Sequence, residues 1–211
     1  NVFLDNDYIN VNNRSATITG SFKIGDNNEV YLGAIDCTQG HALEKDTGSA
    51  LSYAVIGRME SNGSHGIINT SSGGLNVEVE IFSQYGQFGI GDSSASMGIT
   101  HADIQDFDIW NDGTGVARGS AGYSTLRTGF MTERSGNCLG IYCSDGYVLA
   151  TAARISANTA YQSTSNGVIN LVSADIDGDK LREGSSIAYV TWGGHISQTP
   201  VFQDSLGAAD D

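Results

Sequence analysis

Basic residues are what this 211-residue chain has least of: Lys and Arg total 10 against 24 Asp and Glu, a formal net charge of −14. That balance excludes a phosphate backbone or an anionic membrane as the main partner, since the field of the chain repels both. Lysine occurs only at 23, 45 and 180, and charged residues make up 16%. Long surface helices laced with Glu–Lys pairs are therefore not expected. No apolar run approaches the roughly 18 residues of a membrane-spanning helix, so no membrane insertion is expected. A single proline, Pro200, leaves no Pro-rich linker. The chain reads as one domain over 1–205 with a flexible tail at 206–211. Its first residues, Asn1-Val2-Phe3-Leu4-Asp5, show neither an initiator Met nor a signal peptide, as in a processed chain or a fragment.

Cysteine is scarce and odd in number: Cys37, Cys138 and Cys143. In an oxidising setting Cys138 and Cys143, which bracket Leu-Gly-Ile-Tyr, are the expected disulfide pair, with Cys37 buried or pairing between chains. The alternative is three buried thiols. There is no CxxC motif, and His41, His65, His101 and His195 are scattered, so nothing reads as a zinc cluster.

What is abundant is glycine, 28 residues, together with Ser, Thr and Asn. Such a chain is polar without charge and rich in turns, the composition of extracellular and virion β-proteins. Its periodicity is two. In Leu75-Asn76-Val77-Glu78-Val79-Glu80-Ile81-Phe82 the apolar residues alternate with acids. Further strands are expected at 15–23, 29–35, 51–58, 146–155, 168–176 and 185–192. Turn clusters such as Asn62-Gly63 and Asn166-Gly167 punctuate them. The expectation is an all-β fold, an antiparallel sandwich or barrel-like arrangement. Gly57-Arg58-Met59 and Gly129-Phe130-Met131 lie 72 residues apart, as do Ala102-Asp103-Ile104 and Ala174-Asp175-Ile176. These echoes suggest a duplication with units 50–112 and 122–184.

The segment from Asp175 to Glu183 carries chemistry. Asp175, Asp177, Asp179 and Glu183 fall at relative positions 1, 3, 5 and 9, with Gly178 to permit a tight turn. A hard cation such as Ca²⁺ wants six to eight oxygens. A curled loop could supply the three Asp side chains, the Leu181 carbonyl and Glu183. The competing reading is an acidic, solvated turn, with Lys180 and Arg182 partly neutralising it. The stretch Leu171 to Tyr189 resembles the calcium-loop hairpin of FG-GAP (integrin α-like, VCBS-type) repeats, with fainter echoes at Gly20–Ala34 and His101–Asp108. The resemblance implies β-propeller-type blades and an extracellular adhesive role within a larger assembly.

Other motifs point elsewhere. Gly91-Asp92-Ser93-Ser94 and Gly40-His41 have the outline of trypsin-like serine and histidine loops, but Ser94 is followed by Ala95 where a Gly-Gly should stand. Glu78 and Glu80 share a strand face, the arrangement of paired glycosidase carboxylates or of a solvated face. Asn13, Asn62 and Asn69 head N-glycosylation triplets. The function expected is a non-enzymatic structural or adhesive protein at an extracellular, cell or virion surface. It would carry a calcium-stabilised loop and associate with itself or with neighbouring subunits, Val2–Val11 adding a strand to a neighbour. A glycan-binding module is the alternative, and a hydrolase the third class.

Overall fold

The computed structural model describes residues 2–4, 10–92, 98–192 and 195–197. Its strands are β1 (Val2–Leu4), β2 (Asn10–Thr19), β3 (Phe22–Ile24), β4 (Glu29–Cys37), β5 (His41–Lys45), β6 (Ser52–Ser61), β7 (His65–Asn69), β8 (Gly74–Gln84), β9 (Phe88–Asp92), β10 (Ile99–Ile109), β11 (Thr114–Glu133), β12 (Leu139–Ser163), β13 (Val168–Arg182), β14 (Ile187–Trp192) and β15 (His195–Ser197).

From β1 to β9 the strands pair not with their chain neighbours but with the strand two further on, and only from β10 onward do consecutive strands pair. β4 pairs with β6, β6 with β8 and β8 with β10, while β5 pairs with β7 and β7 with β9, all parallel. The chain therefore winds as a β-solenoid of about six turns. A long side holds β2, β4, β6, β8 and β10, and a short side holds β1, β3, β5, β7 and β9. β11 and β12 are long because each runs along both sides, with register shifts between Gly119 and Tyr123 and between Ser156 and Tyr161. Among the described residues only the last pair, β14 with β15, is antiparallel.

This corrects the antiparallel sandwich, barrel or propeller-blade expectation. Period-2 alternation with one wet face usually marks antiparallel sheets, because parallel ones are commonly covered on both faces. A solenoid covers only its inner face, so its parallel strands show the same alternation. The turn clusters are corners of the coil. Asn27, Asn111 and Asp112 adopt left-handed φ of 54°, 56° and 62° there, which Asn and Asp tolerate better than most residues.

The 72-residue echo of Gly57-Arg58-Met59 in Gly129-Phe130-Met131 spans three turns of the coil. Ile56, Val79, Ile104, Thr128, Ala152 and Ser173 are successive ladder partners, 21–25 residues apart. Arg58 and Phe130 fall in one such column through Ile81 and Asp106. Asp103 and Asp175 do not, since Asp103 partners Arg127 and Asp175 partners Arg154.

Columns also build the core. Ile35, Met59, Phe82, Phe107, Met131, Ile155 and Ile176 stack inward from the long side and are buried. Phe82 and Phe107 lie face to face, ring centroids 4.8 Å apart. Opposite them on the short side runs a glycine column, Gly66, Gly89, Gly115 and Gly140. A β-carbon at Gly66 would meet Phe82 Cζ, and one at Gly89 would meet Phe107 Cζ. Large rings on one wall thus require bare backbone on the other.

In four turns a polar side chain at the end of the short-side ladder points inward and ties down the loop after it. Lys45 Nζ donates to the Thr47 carbonyl (3.1 Å), and Asn69 Nδ2 to that of Gly73 (3.0 Å). Arg118 donates to the carbonyls of Gly98, Ser120 and Ala121 at 2.7–3.0 Å. Ser163 Oγ donates to the Gly167 carbonyl (2.9 Å). All four side chains are fully buried, so these bonds satisfy polar groups that would otherwise be buried without a partner.

Candidate functional site

The long side bends where Gly33, Gly57 and Gly129 step out of the ladder. Pairing passes from Leu32–Ile56 directly to Ala34–Arg58, and from Ile104–Thr128 to Asp106–Phe130. Against this bend lies an outer groove of about 480 Å³, lined among others by Gly33, Val55, Gly57, Glu78, Glu80, Asp103 and Gln105. A β-carbon at Gly57 would lie 2.8 Å from the Gly33 carbonyl oxygen. Glycine is therefore dictated by the close approach of turns, and it leaves the floor bare.

A smaller depression of about 160 Å³ adjoins the groove, lined by Tyr53, Asn76, His101 and, in common with it, Glu78 and Asp103. The Tyr53 hydroxyl donates to Glu78. That bond, then burial, pushes the Tyr53 phenol up to about 12. Asp103 faces Arg127 at 3.7 Å, and His101 Nδ1 shares a hydrogen with Thr125 Oγ1 at 2.6 Å. Asn76 Oδ1 has no hydrogen-bond partner. The walls are thus dominated by acceptors, suited to a ligand rich in hydroxyl or amine donors. Glu78, Glu80 and Asp103 are all exposed.

The acidic run from Asp175 to Glu183 is laid out along the ladder rather than curled. Asp175 and Asp177 project from β13 toward Arg154, whose Nε is 3.2 Å from Asp175 Oδ2 and whose Nη2 is 3.7 Å from Asp177 Oδ2. Gly178, with φ +125°, turns the corner. Asp179 then pairs in register with Thr159 and Leu181 with Gln162, while Glu183 Oε1 accepts from Gln162 Nε2 at 3.5 Å. Among the described residues no three His, Cys, Asp or Glu side chains converge as metal ligands.

The three cysteines are free and buried. Cys138 and Cys143 flank an extended run, at about 3.3 Å per residue well beyond the 7 Å Cα separation that a disulfide bridges. The expected bridge is replaced by thiol-to-carbonyl contacts. Cys138 Sγ approaches the Ser135 carbonyl at 3.2 Å, and Cys143 Sγ those of Asp145 and Gly146 at 3.6 Å. Cys143 holds the corner position occupied by Ser163 and Asn69 in other turns.

The three glycosylation triplets separate. Asn62 is exposed at a corner. Asn69 is fully buried, bonded to the carbonyls of Gly73 and Ile99, so a glycan cannot join it in the folded chain. Asn13 lies in β2. Ser93 and Ser94 of the serine-loop outline lie outside the described residues. Sequence reasoning singled out Glu78 and Glu80 but missed Asp103 and Gln105. Only the recurrence near 24 residues would have joined them across a turn.

No family model, curated protein or solved structure matches this chain.

Proposed function

We propose that this chain is a non-enzymatic structural module of an exterior surface, a rigid spacer that joins neighbouring subunits through an end of its coil. The observation that carries the reading is the asymmetry of the two ends. β2 and β1 terminate the sheet with no outer partner among the described residues, whereas β15 runs antiparallel along β14 at the other end. An unpaired edge is a template for strand addition, and the antiparallel β15 stops the parallel stack from continuing at its own end. Val2–Leu4 already pairs with β3 of the same chain, so the segment contributes an edge to a neighbour rather than swapping into it. Sedimentation of the full chain over a wide concentration range is expected to reveal self-association that is lost when residues 1–11 are removed. Unchanged association in the truncated chain overturns the reading.

The groove favours a second reading, a glycan-binding module. Its bare floor and acceptor-rich walls suit sugar hydroxyls. Retention on immobilised polysaccharide that is lost in Glu80→Gln with Gln105→Ala supports it, and equal retention of both proteins excludes it.

A further inference from the structure

Two of the scattered histidines are brought together by the coil. His41 in β5 and His65 in β7 are direct ladder partners, and Phe88 in β9 is the next residue of that column. The two imidazole centroids are 4.8 Å apart. His65 also rests on the Phe88 ring at 5.2 Å, so its ring is held from the far side. Both Nδ1 atoms face one oxygen: Ser64 Oγ lies 3.4 Å from His41 Nδ1 and 3.0 Å from His65 Nδ1. Ser64 Oγ is also 3.4 Å from the Gly40 carbonyl.

We propose that His41 and His65 form a binding site for a first-row transition-metal dication of the zinc, copper or nickel type, coordinated through the two Nδ1 atoms with Ser64 Oγ beside them. The geometry has three parts. The Ser64 hydroxyl can accept from both rings or give its hydrogen to one, so the two Nδ1 atoms converge on one point whichever tautomers they hold. A metal ion beside that point takes the Nδ1 lone pair of each ring, in its Nε2–H tautomer, at about 2.0–2.1 Å. Imidazole nitrogen is the preferred donor for zinc, copper and nickel rather than for calcium or magnesium. Access is open, because Ser64 is exposed and His41 only half-buried, leaving room for water to complete the coordination shell. The net charge of −14 raises the local concentration of cations. The two ligands sit on adjacent rungs of a stacked sheet, so little ordering is needed on binding.

The test is calorimetric titration of the chelator-treated full chain with Zn²⁺ and with Cu²⁺ at pH 7.5, beside His41→Ala, His65→Phe and His101→Ala. One ion per chain is expected for the wild type and for His101→Ala. Affinity is expected to fall at least tenfold in each of the other two variants, and to fall in the wild type as the pH drops through the histidine range. His65→Phe continues the Phe88 column, and a thermal melt checks that it folds. His41→Ala, at a half-buried position, gives an independent reading should His65→Phe fail that check. Wild-type affinity in His41→Ala, loss confined to His101→Ala, or no heat of binding to the wild type would each overturn the proposal.

Discussion

Lys45 Nζ lies 2.6 Å from Asp26 Oδ1 and has no exposed surface, a buried ammonium held inside the corner of one turn by a carboxylate from the turn before. Asp26 Oδ2 accepts from the Ser49 amide at 2.8 Å. The hydrogen bond from Lys45 holds the Asp26 carboxyl below the usual range, helped by the amides of Ser49 and Ala50 and opposed by burial. Asp26→Ala strands a buried charge and is expected to cost about 3 kcal/mol in urea unfolding at pH 7. Lys45→Met, which leaves its partly exposed partner to water, is expected to cost less. Because the folded-state pKa is depressed, the contribution is full above the ordinary carboxylate range and disappears as pH falls through the folded value. Wild type and Asp26→Asn should therefore converge in acid, and a gap that persists there would refute this account of the pair.

The strands themselves were legible. Val77, Val79 and Glu78, Glu80 alternate as a half-buried strand must, and β4, β6, β8, β13 and β14 overlap the expected segments. Their pairing was not legible, because alternation reports which face is buried and not the direction of the neighbour. The decisive signal was the column spacing of Gly66, Gly89, Gly115 and Gly140, which reflects the turn length. In a chain with 28 glycines it is hidden among corner glycines. The surroundings of the acidic run were hidden for a related reason. Spacing of carboxylates cannot reveal that Arg154, one turn earlier, stands opposite Asp175.

Tyr161 replaces an aliphatic residue in the inward column of the short side. It is fully buried, its hydroxyl has no hydrogen-bond partner, and burial pushes its phenol up to about 12. An unsatisfied buried hydroxyl costs about 1–3 kcal/mol. Tyr161→Phe deletes that hydroxyl while keeping the ring, so unfolding free energy is expected to rise by about 1 kcal/mol. A loss of stability instead would mean that the hydroxyl is satisfied in solution.

Burial pushes the Cys143 thiol up to about 11 and raises that of Cys138 as well. Thiolate is the reactive form. Both should therefore resist alkylation at pH 8 in the folded chain and react fully once it is unfolded in denaturant. Rapid labelling of either thiol under native conditions would place it in a solvent-accessible corner. Cys143→Ser is expected to be well tolerated, since Ser163 makes a similar carbonyl contact at the same corner of the next turn.

Gly115 sits against the core wall, where an added β-carbon would lie 2.7 Å from the Gly140 carbonyl oxygen and 2.8 Å from Ile109 Cδ1. Backbone cannot yield there without parting two turns. Gly115→Val is expected to destabilise by about 3 kcal/mol or more, at the upper end of overpacking costs. Trimming Ile109 to Val should recover only part of that loss, because the carbonyl remains. Full recovery would show that the side-chain contact alone sets the glycine requirement.

Calcium remains the sharpest test of the acidic run. Asp175 and Asp177 are exposed and share the guanidinium of Arg154, and Asp179 lies beyond the corner at Gly178. Drawing them onto one ion would break the ladder pairs of Asp177 with Ser156 and of Asp179 with Thr159. Thermal melts in excess calcium and in EGTA are therefore expected to coincide, for wild type and for Asp177→Ala alike. A site filled at a hundredfold over its dissociation constant would instead add roughly 2.7 kcal/mol, several degrees in melting temperature for a chain of this size. A calcium-dependent rise that vanishes in Asp177→Ala would mean that the last turns of the coil rearrange into a loop around the ion, with Arg154 released to solvent. Arg154→Ala distinguishes the two cases. It should enhance any such rise by removing the competing cation, and should leave the two melts superimposed if the carboxylates stay on their strand.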